Sequence, residues 1–219
     1  MRFMQLMRAP VRSARLRPFV QALWASEPGP GATARPGARE HVLPTGAMHL
    51  VFRLSGPPLR LFSDAHDLDG QGVGHALVGG PRERFYVRDV SQPCASVGAL
   101  LRPGVALPLF DAPEDALAGR HTPLADLWGA SAPLALARLQ ETSDLEARLD
   151  VFEALLLDRL ADSFHGLHPA VAEALAPLRM GALQVRELAA HSGYSHRRFI
   201  DLFRAATGLA PKAYARVHR

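Results

Sequence analysis

Val185-Arg186-Glu187-Leu188-Ala189-Ala190-His191-Ser192-Gly193-Tyr194-Ser195-His196-Arg197-Arg198-Phe199-Ile200-Asp201-Leu202-Phe203-Arg204-Ala205-Ala206-Thr207-Gly208 decides how the C-terminal part of this chain is organised. Val185, Leu188 and Ala189 recur at i, i+3 and i+4, which puts them on one face of a short helix. Gly193 follows, suited to a tight turn that needs positive φ, and Ala189 is small enough to let two helices approach. Ser195 offers a hydroxyl N-cap for a second helix. That helix gathers Phe199, Leu202, Phe203 and Ala206 on one side and Arg197, Arg198, Asp201 and Arg204 on the other. Gly208 ends it and Pro211 bars a simple continuation. Two short helices, a glycine turn, a capped second helix and a basic outer face read as a helix-turn-helix; the plainer alternative is a helical hairpin with a solvated charged face.

Charge follows the same boundary. Residues 181–219 hold seven Lys/Arg and two Asp/Glu, a net +5, whereas the 219-residue chain is +4 in all, so residues 1–180 sum to −1. A basic segment beside a near-neutral one is the footprint of a polyanion-binding part. The second helix therefore predicts contact with double-stranded DNA. Recognition helices place their N-terminal residues on base edges, so Arg197, Arg198 and Asp201 are the expected base readers. His196, Arg204, Tyr194 and Ser195 at the margins, with Lys212 beyond the glycine, are expected nearer the phosphates.

Working back along the chain, Ser143 with Glu146 predicts a capping box for a helix over Ser143–Phe164, whose Leu145, Leu149, Phe152, Leu156 and Leu160 share a side. That side is expected to join two copies as a homodimer; packing on the N-terminal domain is the alternative. Pro169 suits a helix start, and Pro177 with Gly181 predicts a hinge. Before about residue 110 the period changes to 2: Met48, Leu50, Phe52 and Leu54 alternate with His49, Val51 and Arg53. Phe19–Trp24, Leu59–Phe62, Ala76–Val78, Phe85–Val90 and Ala95–Leu101 are further strand candidates between turn signals, and Glu27–Arg39 reads as a loop. The fold class is α+β: an antiparallel β-barrel-like domain over 1–112, a helical linker or dimerisation region over 113–165, and the helix-turn-helix domain over 166–219. A barrel of this size encloses one small ligand. An apolar pocket with few charges is expected, lined by Trp24, Phe52, Phe62, Phe85 and Tyr86.

Composition limits the chemistry. At 48% hydrophobic residues the chain can bury a core, and its single cysteine, Cys94, excludes an internal disulfide and fits a cytoplasmic setting. No run reaches the ~18 apolar residues of a membrane span, and no secretory signal stands at the N-terminus. No nucleophile triad, phosphate loop or dinucleotide fingerprint is present, so neither an enzyme nor a cofactor is expected. His41, His49, His66 and His75 lack the clustered spacing of a metal site. Asp64, Asp67 and Asp69 before Gly70 lack the glutamate of a calcium loop and read as a solvated turn.

Glu187–Ser195, Phe199–Arg204 and Gly208-Leu209-Ala210-Pro211-Lys212-Ala213-Tyr214 together resemble the AraC/XylS-type transcription regulators. His41–Gly46, Leu50–Phe52, Leu100–Gly104, Arg120–Leu124 and Asp126–Gly129 are similar to a subgroup of that family, in which an aspartate usually stands where this chain has Thr45. The resemblance implies a cupin-like, effector-binding N-terminal domain and a DNA-binding tail. Family members carry two helix-turn-helix units joined by a long helix. Residues 185–214 are similar to the first, Tyr214–Arg219 to the start of the joining helix, and the second unit has no counterpart here. Operator binding by one unit is accordingly expected to be weak. The resemblance thus points to a regulator sensing a small molecule; a cupin-type metalloenzyme with a helical tail, or an interaction module without DNA affinity of its own, are the other readings.

Overall fold

The computed structural model of the chain describes residues 4–64, 66–160 and 166–219. The described residues include ten strands and nine helices. The strands are β1 (Met4–Ala9), β2 (Val20–Pro28), β3 (Arg39–Val42), β4 (Met48–Arg53), β5 (Leu59–Phe62), β6 (Gln71–Gly74), β7 (Ala76–Gly79), β8 (Tyr86–Asp89), β9 (Ser96–Leu101) and β10 (His121–Pro123). They form a six-stranded sheet in the order β1-β2-β9-β4-β7-β10 and a four-stranded sheet in the order β3-β8-β5-β6. Every pairing is antiparallel. Antiparallel strands agree with the expectation, but no closed barrel forms. Two separate sheets stand in its place, and β10 returns to β7 from within the segment expected to be helical.

The helices are α1 (Ala106–Phe110), α2 (Glu114–Leu117), α3 (Ala125–Trp128), α4 (Ser131–Gln140), α5 (Leu145–Arg159), α6 (Pro169–Met180), α7 (Val185–His191), α8 (His196–Thr207) and α9 (Pro211–Val217). The N-cap of α5 is Asp144, whose carboxylate accepts the Ala147 amide at 2.8 Å, so the capping box expected from Ser143 does not form. Both residue types cap well, and the helix starts one position later. Its expected last residues, 161–164, lie outside the described residues.

The face of α5 expected to join two copies is buried within one chain. Leu145, Leu149, Phe152 and Leu156 share a core with Leu23, Leu50, Phe52 and Val97 of the six-stranded sheet and with Phe110 and Trp128. Each such side chain contributes roughly 1.5–3 kcal/mol through burial, so the sheet, and not a second subunit, satisfies this face. Arg148 on α5 pairs with Glu27 on β2 and donates to the Thr142 carbonyl, and Glu153 accepts the Ser13 amide at 2.6 Å. The Glu27 and Ser13 contacts hold α5 against β2 and the loop before it.

A second core joins α6, α7, α8 and α9: Val171, Ala174, Leu178, Val185, Leu188, Ala189, Phe199, Phe203, Ala213 and Tyr214. Pro177 lies inside α6, which runs on to Met180 and closes on left-handed Gly181. Pro169 opens that helix with His168 as N-cap, as expected.

Candidate nucleic-acid interface and ligand cavity

The helix-turn-helix is built from α7, a turn and α8. Gln184 and Glu187 make a capping box at the start of α7, which the sequence reading missed; the Glu187 carboxylate accepts the Gln184 amide at 2.6 Å. Gly193 turns the chain at φ 72°. Ser195 caps α8 by accepting the Arg198 amide at 3.3 Å. Phe199 and Phe203 are fully buried, and Leu202 and Ala206 are half-buried at the flank of the same face. His196, Arg197, Arg198, Asp201 and Arg204 are all exposed. The period of 3.6 thus separates an aromatic anchor from a cationic outer face on one helix. Tyr194 stands just before the cap, 39% exposed, with its hydroxyl 3.1 Å from His168 Nε2. Lys212 is exposed along a groove that also holds Arg186, His196, Arg216 and Arg219. Of these, Arg216 is already paired with Glu83 of the N-terminal domain.

The two sheets enclose a cavity of about 200 Å³. Trp24, Val51 and Leu77 from the larger sheet and Val42, Leu59 and Tyr86 from the smaller one supply its apolar walls. Among the five aromatic residues expected to line it, Trp24 and Tyr86 do. Phe52 does not: it lies on the opposite face of β4, edge-on to Phe152 at 5.8 Å and beside Trp128 at 6.3 Å. Alternation along β4 turns Met48, Leu50 and Phe52 to the helices, so His49, Val51 and Arg53 face the cavity. Phe62 lines a neighbouring depression, with the Arg39 guanidinium 3.6 Å from its ring centre. Phe85 is 56% exposed and leans on His41.

The cavity is also not the charge-poor pocket expected. Arg53, Arg82, Arg88, His49 and His121 line it, and no carboxylate is among its lining residues. Arg88 is paired with Glu40, and Arg53 donates to the Pro57 carbonyl at 3.1 Å. Arg82 stands 3.1 Å from His121 Nδ1, with its guanidinium 4.5 Å from the Tyr86 ring centre. An arginine has only donors, so this contact makes His121 Nδ1 the acceptor and leaves the ring proton on Nε2. Burial first, then the nearby Arg82 charge, lowers His49 to about 4 and His121 to about 3, so both imidazoles are neutral near pH 7. Burial raises the Tyr86 phenol, which keeps its proton. The Thr45 hydroxyl lies 3.0 Å from His49 Nε2.

Two of the loops that line the cavity also touch the helix-turn-helix unit. Gly46, beside cavity residues Thr45 and Ala47, packs so closely on α9 that a Cβ there would lie 2.9 Å from His218 Nε2. Pro81, next to Arg82, meets Gly208 at the end of α8, where a Cβ would lie 2.8 Å from its ring. Glu83 pairs with Arg216, and the Gly104 amide donates to the Ala206 carbonyl at 3.0 Å. Glu114 is buried in the same junction and accepts the Ala106 amide at 3.1 Å; burial pushes its carboxyl up to about 7.

Among the described residues no group of three or more His, Cys, Asp or Glu could hold a metal ion. The Asp64–Gly70 turn is closed by its own backbone, with Asp67 accepting the Ser63 and Gly70 amides at 2.9 and 2.8 Å. No described helix is long and apolar enough to cross a membrane.

A family profile described as "Domain of unknown function (DUF6597)" matches residues 11–123. Among curated proteins, none matches the chain. A solved structure, ToxT from Vibrio cholerae O395 bound to (E)-4-(8-methylnaphthalen-1-yl)but-3-enoic acid, is similar at 9% identity and a TM-score of 0.25, over 99% of this chain and 98% of that one.

Proposed function

The chain belongs to the family described as a domain of unknown function, DUF6597, and since that description carries no activity, we propose from the geometry that it is a DNA-binding transcription regulator whose N-terminal domain senses a small molecule. One observation carries the reading: α8 buries Phe199 and Phe203 while His196, Arg197, Arg198, Asp201 and Arg204 stand free on its outer face. A helix so anchored presents a row of donors, with Asp201 as an acceptor among them, to a major groove. Arg197 and Arg198 lie in the first turn, where bidentate pairing to guanine is in reach, and Asp201 can accept from cytosine N4. Arg204 and His196 lie where phosphates flank the groove. The resemblance of residues 187–214 to the first unit of AraC/XylS-type regulators supports the same assignment.

The cavity supplies the sensing half. Its lining loops at Thr45–Ala47 and Gly79–Arg82 adjoin the contacts with α8 and α9, so a ligand that shifts either loop changes how the helix-turn-helix unit is held. Coupling then requires only that the ligand bind the two dockings unequally.

The test is retention of duplex DNA by the full chain, compared with Arg198→Ala and Arg204→Ala on an enriched and a random sequence. Loss of a base-reading arginine is expected to cost about 1–3 kcal/mol on the enriched site alone. Loss of a phosphate contact weakens both duplexes and lowers the log–log salt slope by about 1. Unchanged binding in both variants would overturn the assignment of this face.

A further inference from the structure

We propose that the cavity between the sheets binds a small organic oxyanion, a carboxylate or phosphate group on an apolar body, with Arg82 as its counter-ion. The assignment rests on reading the N-terminal domain as the sensing half. It is tested without DNA, so its failure and the failure of DNA binding can be told apart.

Arg82 is half-buried, always charged, and has no carboxylate partner among the described residues. Buried charges in folded proteins are normally paired, because removing an ion from water costs far more than one neutral contact returns. Neutral polar groups and aromatic surface surround Arg82 instead. The Tyr86 ring stacks under the guanidinium, His121 accepts one of its N–H groups through Nδ1, and His49 and Thr45 complete the polar side. Tyr86 and His121 meet edge-on at 4.6 Å, which fixes both rings. Arg82 therefore has one orienting hydrogen bond, and the rest of its planar fork is left for an oxyanion, the geometry that guanidinium groups match best.

The remaining walls decide the rest of the ligand. Trp24, Val42, Val51, Leu59 and Leu77 offer apolar surface, while Arg53 and Arg88, the other charges in the lining, are engaged by the Pro57 carbonyl and by Glu40. A volume of about 200 Å³ exceeds the roughly 150 Å³ of an apolar cavity that takes up benzene, enough for a single ring or short chain carrying one acidic group. A sugar would leave hydroxyls against these apolar walls. The neutral state of both imidazoles fits the same assignment, since only Arg82 and its neighbouring arginines then bring charge to the site.

Three probes of similar size separate the alternatives: benzoate, phenyl phosphate and the neutral benzyl alcohol. Each is titrated into the full chain by calorimetry, with nitrogen-resonance NMR of the histidines as a second readout. At least one anion is expected to bind saturably and at least about tenfold more tightly than benzyl alcohol, the size of one charge-assisted pair. Which of the two anions binds better identifies the oxyanion. A bound anion also raises the pKa of His121, because it offsets the charges of Arg82 and Arg88 that face this ring together with neutral His49. Arg82→Gln is expected to lose about tenfold or more of the anion affinity and none of the alcohol affinity. Arg82→Lys, which keeps the charge without the fork, serves as the folded control and is expected to lie between. Equal binding of the alcohol and the anions, no binding of either anion at ~10 mM, or full anion affinity in Arg82→Gln overturns the proposal.

Discussion

Replacing Glu114 by Gln is expected to stabilise the protein above neutral pH and to leave it nearly unchanged in acid. Glu114 is 4% exposed and sits at the junction between the sheets and the end of α8. Burial raises its carboxyl from 4.5 to about 7, against the lowering effect of the amides of Ala106, Gly104 and Val105. Between pH 4.5 and 7 the native state therefore holds a proton that the unfolded chain has released, so stability falls as pH rises through that window. A shift of about 2.5 units at 1.36 kcal/mol per unit gives a deficit of about 3 kcal/mol once the group is ionised. Glutamine keeps an acceptor oxygen for the Ala106 amide and never ionises. Urea unfolding of both proteins from pH 4 to 8.5 measures the difference. The wild type and Glu114→Gln are expected to agree within about 1 kcal/mol at the acid end and to diverge by about 3 kcal/mol by pH 8. A difference that does not change with pH would refute the reasoning, since it would mean that Glu114 titrates normally in the folded state.

His49 and His121 act in the opposite sense. Their folded pKa values lie below the ordinary 6.5, at about 4 and about 3, so the stability they carry is present above pH 6.5 and is lost as pH falls through these values. His121→Gln is expected to flatten the acid limb of the stability curve, as read by urea midpoints from pH 3 to 7. Phe203→Ala removes a fully buried ring from the second core, and a loss of about 3–5 kcal/mol is expected in the chemical unfolding of the helix-turn-helix unit. Glu83→Ala breaks an exposed ion pair with Arg216 and is expected to cost no more than about 1 kcal/mol in stability. If the junction transmits ligand binding, the same variant changes the ligand's effect on DNA affinity, measured by duplex titration with and without the ligand.

The helix-turn-helix was legible in the sequence because each of its signals is local. A capping serine, a positive-φ glycine and a 3.6-residue aromatic period need no distant partner to be read, and Ser195, Gly193, Phe199 and Phe203 occupy the expected roles. The cavity was not legible, for a reason that β4 makes plain. A period of 2 says that Phe52 and Val51 face opposite ways, but not which way the helices lie. The helical layer claims the Met48–Leu50–Phe52 face, and the cavity receives His49, Val51 and Arg53. Phe85 shows a related ambiguity, since an aromatic residue beside a strand can end at the surface. The leucine face of α5 was visible in the pattern, yet whether it meets a sheet or another copy depends on the tertiary arrangement. Arg82 and His121 went unnoticed because a lone arginine after Gly-Gly-Pro and a histidine before Thr-Pro gain meaning only when β7, β8 and β10 bring them together. A signal was available in the polar face of β4, where His49 and Arg53 alternate with buried residues on a strand between two layers.

The central claim is that the outer face of α8 reads double-stranded DNA. It is tested most directly by selecting from a random duplex library with the full chain and, in parallel, with Arg197→Ala/Arg198→Ala, and sequencing what each retains. One recurring sequence is expected to be enriched by the wild type and lost by the double variant, with residual binding that weakens steeply as salt is raised. Failure of the wild type to retain duplex at low salt, or enrichment of the same sequence by both proteins, would contradict it.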